Sequence, residues 1–185
     1  IGKFGMKNSS NGSELVTGWK GKGQPGNGAD GVRAMYEYRM ASTVWAKLYR
    51  ASIAKGLRFP ERYWFEDRYF LLSYFLKADH IVFDENAGLD ILSRRNSLTR
   101  RLLSEQKIKD AYEIYTQELE LVSAHELHRE FTRLIDRHQI NALIETMIIL
   151  YYDRSEPEHS KNLEQCLSGF IVAFTKRLKQ NNTRI

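Results

Sequence analysis

A disulfide framework is excluded first: the 185 residues contain one cysteine, Cys166, and one thiol cannot close a bridge within its own chain. Such usage fits a reducing compartment such as the cytosol. No apolar run reaches the ~18–20 residues that a membrane-crossing helix requires. The opening residues contain no apolar segment of the kind that marks a secretory leader. Methionine is also missing from position 1, where the chain has Ile1; a processed protein, or a piece of a longer one, is the expectation. What is present argues against general disorder: 42% of residues are hydrophobic and 12% aromatic, enough to build a core. The formal charge is +5 and the pI about 9.3, which favours anionic partners such as nucleotide diphosphates or an anionic lipid surface. Acidic and basic residues are interspersed and the excess is modest, so nucleic acid is not read as the partner.

Three zones follow along the chain. Residues 1–41 are a Gly/Ser-rich loop region and lead-in; as far as residue 31 the Gly, Ser, Asn and Lys content predicts loop and no helix. Residues 42–103 are mixed. Val44–Tyr49 reads as a strand, Ala51–Lys55 as one or two helical turns stopped by Gly56, and Leu57–Phe59 as extended chain before Pro60. Phe65, Tyr69, Leu72 and Leu76 recur at helical steps, predicting an amphipathic helix over 65–78. His80–Asp84 and Ala87–Leu92 read as short strands. Residues 104–185 are predicted helical, with one stripe through Ile108, Ala111, Tyr112, Tyr115, Leu119 and Val122. A restart is expected at Ser123 and Glu126, which have capping-box spacing. Ile140–Tyr152 is apolar nearly all round, which predicts a central helix. After a start signal at Ser155, Pro157 and Glu158, a stripe runs through Leu163, Cys166, Leu167, Phe170, Ile171, Phe174 and Leu178.

Two places hold groups suited to chemistry. Glu66 and Asp67 are adjacent carboxylates at the expected start of the 65–78 helix. The positive end of a helix dipole favours their ionised form, and an ionised carboxylate within hydrogen-bond reach can act as a general base on a hydroxyl. The same residues also simply favour helix N-termini. The second place is Ser93-Arg94-Arg95-Asn96-Ser97-Leu98-Thr99-Arg100-Arg101. Arginine forks match phosphate oxygens and hydroxyls add short donors; a solvated basic turn has the same composition.

The order Trp45-Ala46-Lys47-Leu48-Tyr49-Arg50, Arg58-Phe59-Pro60-Glu61, Phe65-Glu66-Asp67 and Arg94-Arg95-Asn96-Ser97-Leu98-Thr99 resembles the second half of bacterial family 2 glycosyltransferases. The resemblance spans about residues 42–101. It implies an α/β fold: the C-terminal, acceptor-side part of a GT-A nucleotide-diphospho-sugar transferase, followed by an α-helical C-terminal region. It implies that Asp67 is the catalytic base with Glu66 as its neighbour, and that Arg94 and Ser97 touch the donor diphosphate. Trp45 and Lys47 would lie near the acceptor cleft, a core role for Trp45 remaining open. The family also uses a divalent metal, Mn or Mg, held by an Asp-x-Asp motif in an upstream half. No Asp-x-Asp occurs in this chain, and Asp79, Asp84 and Asp90 are too far apart to replace it. The expectation is therefore an enzyme piece without its metal ligands, inactive alone. Its implied partners are a nucleotide-sugar donor and a surface-glycan or lipid-linked acceptor. Peripheral contact with the inner face of the membrane and self-association are compatible with it. The alternative is a non-catalytic helical module for protein or anion binding.

Weaker signals carry little. Gly21-x-Gly23-x-x-Gly26 matches a dinucleotide fingerprint but contains Pro25 and follows no strand pattern. His125 and His128 are one helical turn apart without a third ligand. Cys166 reads as core, and Lys176, Arg177 and Lys179 suit a helix C-terminus.

Overall fold

Residues 4–7, 14–17, 25–38, 40–61, 64–83, 103–152 and 157–180 are those the computed structural model describes. The chain divides into two units, Ile1–Glu61 with Glu66–Leu102, and Arg62–Phe65 with Leu103–Ile185.

In the first unit β1 (Phe4–Lys7) pairs antiparallel with β2 (Glu14–Thr17). β3 (Pro25–Gly26) pairs antiparallel with β4 (Ile81–Val82). The helices are α1 (Gly28–Tyr36), α2 (Ala51–Ala54) and α3 (Glu66–Phe75). The α/β expectation is thus corrected. Among the described residues the chain is mostly helical, its strands form two separate two-stranded antiparallel sheets, and no extended sheet of the GT-A kind exists. Of the strand expected over 80–84, β4 covers two residues; the strand expected over 87–92 lies outside the described residues.

The first stretch also departs from the loop expectation, because Gly28 and Gly31 serve packing. Asn27 caps α1: its Oδ1 accepts from the Asp30 N–H at 3.1 Å, and Asp30 Oδ2 accepts from the Asn27 N–H at 2.9 Å, closing a capping box. Gly28 donates its N–H to the Ala78 carbonyl at 2.9 Å. A Cβ at Gly28 would meet the Phe75 carbonyl oxygen at 1.9 Å, and one at Gly31 would meet the Phe75 ring at 2.7 Å. The missing side chains let α1 lie directly on the end of α3. Val32, Ala34, Met35 and Tyr36 are buried in this unit, as are Phe70, Leu71, Leu72, Tyr74 and Phe75. α3 is therefore covered all round from Phe70 to Phe75 and has no single stripe. Of the four stripe residues expected, Leu72 is buried and Phe65 is exposed.

These contacts predict opposite outcomes for two glycines. Gly28→Ala must displace backbone and is expected to lose about 1–3 kcal/mol or more. Gly169, inside a later helix, has nothing within 4 Å of its Cβ position, and Gly169→Ala is expected to gain about 0.8–1 kcal/mol. Chemical denaturation of both variants checks the pair. Equal effects would mean that α1 does not lie as close to α3 as described.

The second unit contains α4 (Glu105–Ser123), α5 (His128–Tyr152) and α6 (Pro157–Gln180), each in contact with the other two. Ser104 caps α4 by accepting the Lys107 N–H. The buried apolar residues include Ile108, Ile114, Tyr115 and Val122 of α4, Phe131, Ile135, Leu143 and Leu150 of α5, and Leu163, Leu167, Phe170 and Phe174 of α6. Two expectations need correction. Ser123 ends α4, its hydroxyl donating to the Glu120 carbonyl, and starts no helix. The stretch Ile140–Tyr152 is not central: Ile144, Met147, Ile148, Ile149 and Tyr151 are about half exposed. No helix among the described residues is long and apolar enough to cross a membrane.

A polar knot joins the three helices. Tyr115 Oη donates to Asp136 Oδ1 at 2.9 Å, Arg177 Nε donates to Tyr115 Oη at 2.5 Å, and an Arg177 Nη pairs with the same Asp136 oxygen. Burial, and next the Asp136 charge, push the Tyr115 phenol up, so it stays a donor. Arg177, read from the sequence as a residue suited to a helix C-terminus, is turned inward.

Candidate functional site

Val44–Tyr49 is not a strand, and its hydrogen bonds explain why. Side chains take both backbone groups of Val44, and backbone groups on either side of the segment. Lys47 Nζ donates to the carbonyls of Ala41, at 3.1 Å, and Thr43, at 2.5 Å. Tyr49 Oη donates to the Val44 carbonyl at 2.7 Å, and the Arg50 N–H donates to Tyr74 Oη at 2.8 Å. The Val44 N–H donates to Asp67 Oδ2 at 3.1 Å. Ala46 completes the bend with φ 55°, a left-handed conformation that costs an L-residue roughly 1–2 kcal/mol.

The opposing wall is α3. Tyr49 packs edge-on against Phe70 and Tyr74, with ring centroids 5.8 and 5.0 Å apart. Phe59 stacks on Phe70 at 4.3 Å. These aromatic contacts fasten the segments at 49 and 59 to the helix whose first turn holds Glu66 and Asp67. Phe65, the residue before that helix, has φ 70°. A bulky side chain in that region is strained by roughly 1–3 kcal/mol, and such strain clusters at functional sites. Both carboxylates are partly buried. Asp67 Oδ1 meets no hydrogen-bond donor among the described residues.

Of the residues singled out in the sequence, Asp67 and the segment holding Lys47 are thus brought together. Glu66 is the first residue of α3, and Trp45 is partly buried within the bent segment. Arg94 and Ser97 lie outside the described residues. Tyr49 and Tyr74 had not been singled out; the signal for Tyr49 was its place in the W-x-K-L-Y run. The divalent metal implied by the resemblance has no matching donor set here: no three His, Cys, Asp or Glu side chains gather to hold an ion among the described residues. The His125 ring accepts the Leu127 N–H at 3.1 Å. Cys166 is partly buried, with its Sγ 3.9 Å from the Glu105 carbonyl and its thiol pushed up by burial.

Burial lowers the Lys47 ammonium to about 8, against the opposing attraction of Asp67. The folded pKa therefore lies below the unfolded one of 10.5. Below pH 8 both states are protonated and the fold bears the whole desolvation cost. From about pH 8 towards 10.5 the unfolded chain binds more protons, so this residue's contribution to stability rises with pH. Unfolding at pH 7 and pH 9.5, wild type against Lys47→Met, is expected to show a rise in wild type that the variant lacks. A parallel response would assign the rise to other groups. Burial, then Asp67 and Tyr74, raise the Tyr49 phenol, which remains a donor across this range.

No family model, no curated protein and no solved structure matches this chain.

Proposed function

We propose that the first unit supplies the acceptor side of a glycosyltransferase. It would move a sugar from a nucleotide-diphospho-sugar to an acceptor hydroxyl with inversion. Asp67 takes the hydroxyl proton as the oxygen attacks the anomeric carbon. The bond from that carbon to the diphosphate oxygen breaks on the opposite face, and the nucleoside diphosphate leaves with the electron pair. Arg94 and Ser97 contact that leaving group, and a surface glycan or lipid-linked intermediate is the acceptor. The net charge of +5 favours work at an anionic, cytoplasm-facing membrane surface.

The observation that carries the reading is the Val44–Asp67 hydrogen bond. It ties Asp67 to the residue just before the Trp45–Arg50 piece, 23 residues away, and leaves one carboxylate oxygen open. The test is acceptor-dependent release of nucleoside diphosphate by the full-length natural protein, wild type against Asp67→Asn. Equal rates would remove Asp67 from the reaction. One observation favours a second reading, a non-catalytic helical interaction module: α5 leaves Ile144, Met147, Ile148 and Tyr151 exposed at helical spacing. Nucleotide release dependent on both donor and acceptor would contradict it.

A further inference from the structure

The Lys47 side chain is half-buried and turned back on its own backbone. An ammonium has three donors, and two of them are used on the carbonyls of Ala41 and Thr43. At most one is left for a substrate. The bridge between those carbonyls bends residues 41–47, and the bend carries the Val44 N–H to Asp67. This segment has no strand ladder to stiffen it, and side-chain bonds, those of Lys47 and Tyr49 among them, hold its shape. Lys47 contributes two of them and a charge.

We propose that Lys47 is a positioning residue: its ammonium holds residues 41–47 in the shape that presents the Val44 N–H to Asp67, and so fixes the orientation of that carboxylate. Its effect on catalysis rests on the reading of Asp67 as the base. An aspartate turns about two bonds, and a single fixed N–H selects the orientation in which the other oxygen meets the acceptor. Charge-assisted bonds to two carbonyls make the segment rigid enough to do so.

The test uses the full chain labelled with ¹⁵N and ¹³C. In wild type, the Lys47 Nζ is expected to show scalar couplings across its hydrogen bonds to the Ala41 and Thr43 carbonyl carbons. A freely exchanging ammonium without such couplings would overturn the proposal. In Lys47→Met, hydrogen exchange at the Val44 amide is expected to accelerate about tenfold or more, the loss of a charged hydrogen bond. The Leu71 and Leu72 amides should be unchanged, and Lys47→Arg should restore protection at Val44. Unchanged exchange at Val44 in Lys47→Met would overturn the proposal. If that variant also loses protection at Leu71 and Leu72, the wild-type couplings decide. In the full-length natural protein Lys47→Met should lower kcat and leave the acceptor KM in place. A raised KM with unchanged kcat would put Lys47 on the acceptor instead. Retained turnover in Asp67→Asn would remove the base and leave the spectroscopic result standing, so the two failures are distinguishable.

Discussion

Asp67→Asn is expected to lower acceptor-dependent turnover by about 10²–10⁴-fold, the usual consequence of losing a general base. The substitution preserves shape. An amide oxygen can still accept the Val44 N–H, as Asp67 Oδ2 does at 3.1 Å, so residues 43–50 should keep their path beside α3. What disappears is basicity. The loss should fall on kcat, with affinity for the nucleotide-sugar within a few-fold of wild type, because the base contributes in the transition state more than in the bound ground state. Asp79 is an exposed aspartate of the same unit and supplies the control: Asp79→Asn should behave as wild type. If both variants were equally active, the carboxylate pair would have no role beyond opening a helix.

Arg177→Met carries the second large effect, on stability. Asp136 is buried, and Arg177 and Tyr115 share its Oδ1. Its Oδ2 is buried without a hydrogen-bond partner among the described residues. Removing the guanidinium leaves a carboxylate inside the three-helix unit with one phenol to solvate it. Breaking a buried pair from one side costs about 3–5 kcal/mol. The methionine keeps most of the aliphatic packing, so the loss reports on charge. Lys176→Met, one residue away on the exposed side, should change stability by less than about 0.5 kcal/mol. Adding Asp136→Leu to Arg177→Met should recover part of the loss, since the uncompensated charge goes with it. Denaturant unfolding followed by far-ultraviolet circular dichroism measures all three. A loss below about 1 kcal/mol in Arg177→Met would class the pair with weak surface bridges.

The second unit was the more legible in sequence because period-3.6 apolar patterning is a direct record of a buried helix face. Leu163, Leu167, Phe170 and Phe174 are all buried, as that pattern predicts. The same signal misled over Ile140–Tyr152, where apolar composition says nothing about how much surface neighbouring helices can cover. Arg177 was misread because a basic residue near a helix end has an ordinary explanation, and its buried partners Tyr115 and Asp136 lie 62 and 41 residues away. In the first unit the errors arose from side chains overriding local preference. Val44–Tyr49 has strand-like composition, yet Tyr49 and Asp67 take both backbone groups of Val44, and Lys47 takes the carbonyls of Ala41 and Thr43 just before it. Gly28 and Gly31 look helix-breaking, yet their lack of a Cβ is what α1 needs against Phe75. The Glu66-Asp67 helix start was legible, since acidic residues at a first turn are a local electrostatic preference. The partner segment that Asp67 binds was not, because that hydrogen bond depends on tertiary structure.

In the proposed function, the bent segment 43–50 and the first turn of α3 form one site around Asp67. The scalar coupling across the hydrogen bond between the Val44 amide nitrogen and the Asp67 carboxyl carbon measures this most directly in the labelled wild-type chain. A resolved coupling and a Val44 amide protected from exchange are expected, although that amide belongs to no helix or strand. An uncoupled, rapidly exchanging Val44 amide in a chain whose Leu71 and Leu72 amides remain protected would contradict it.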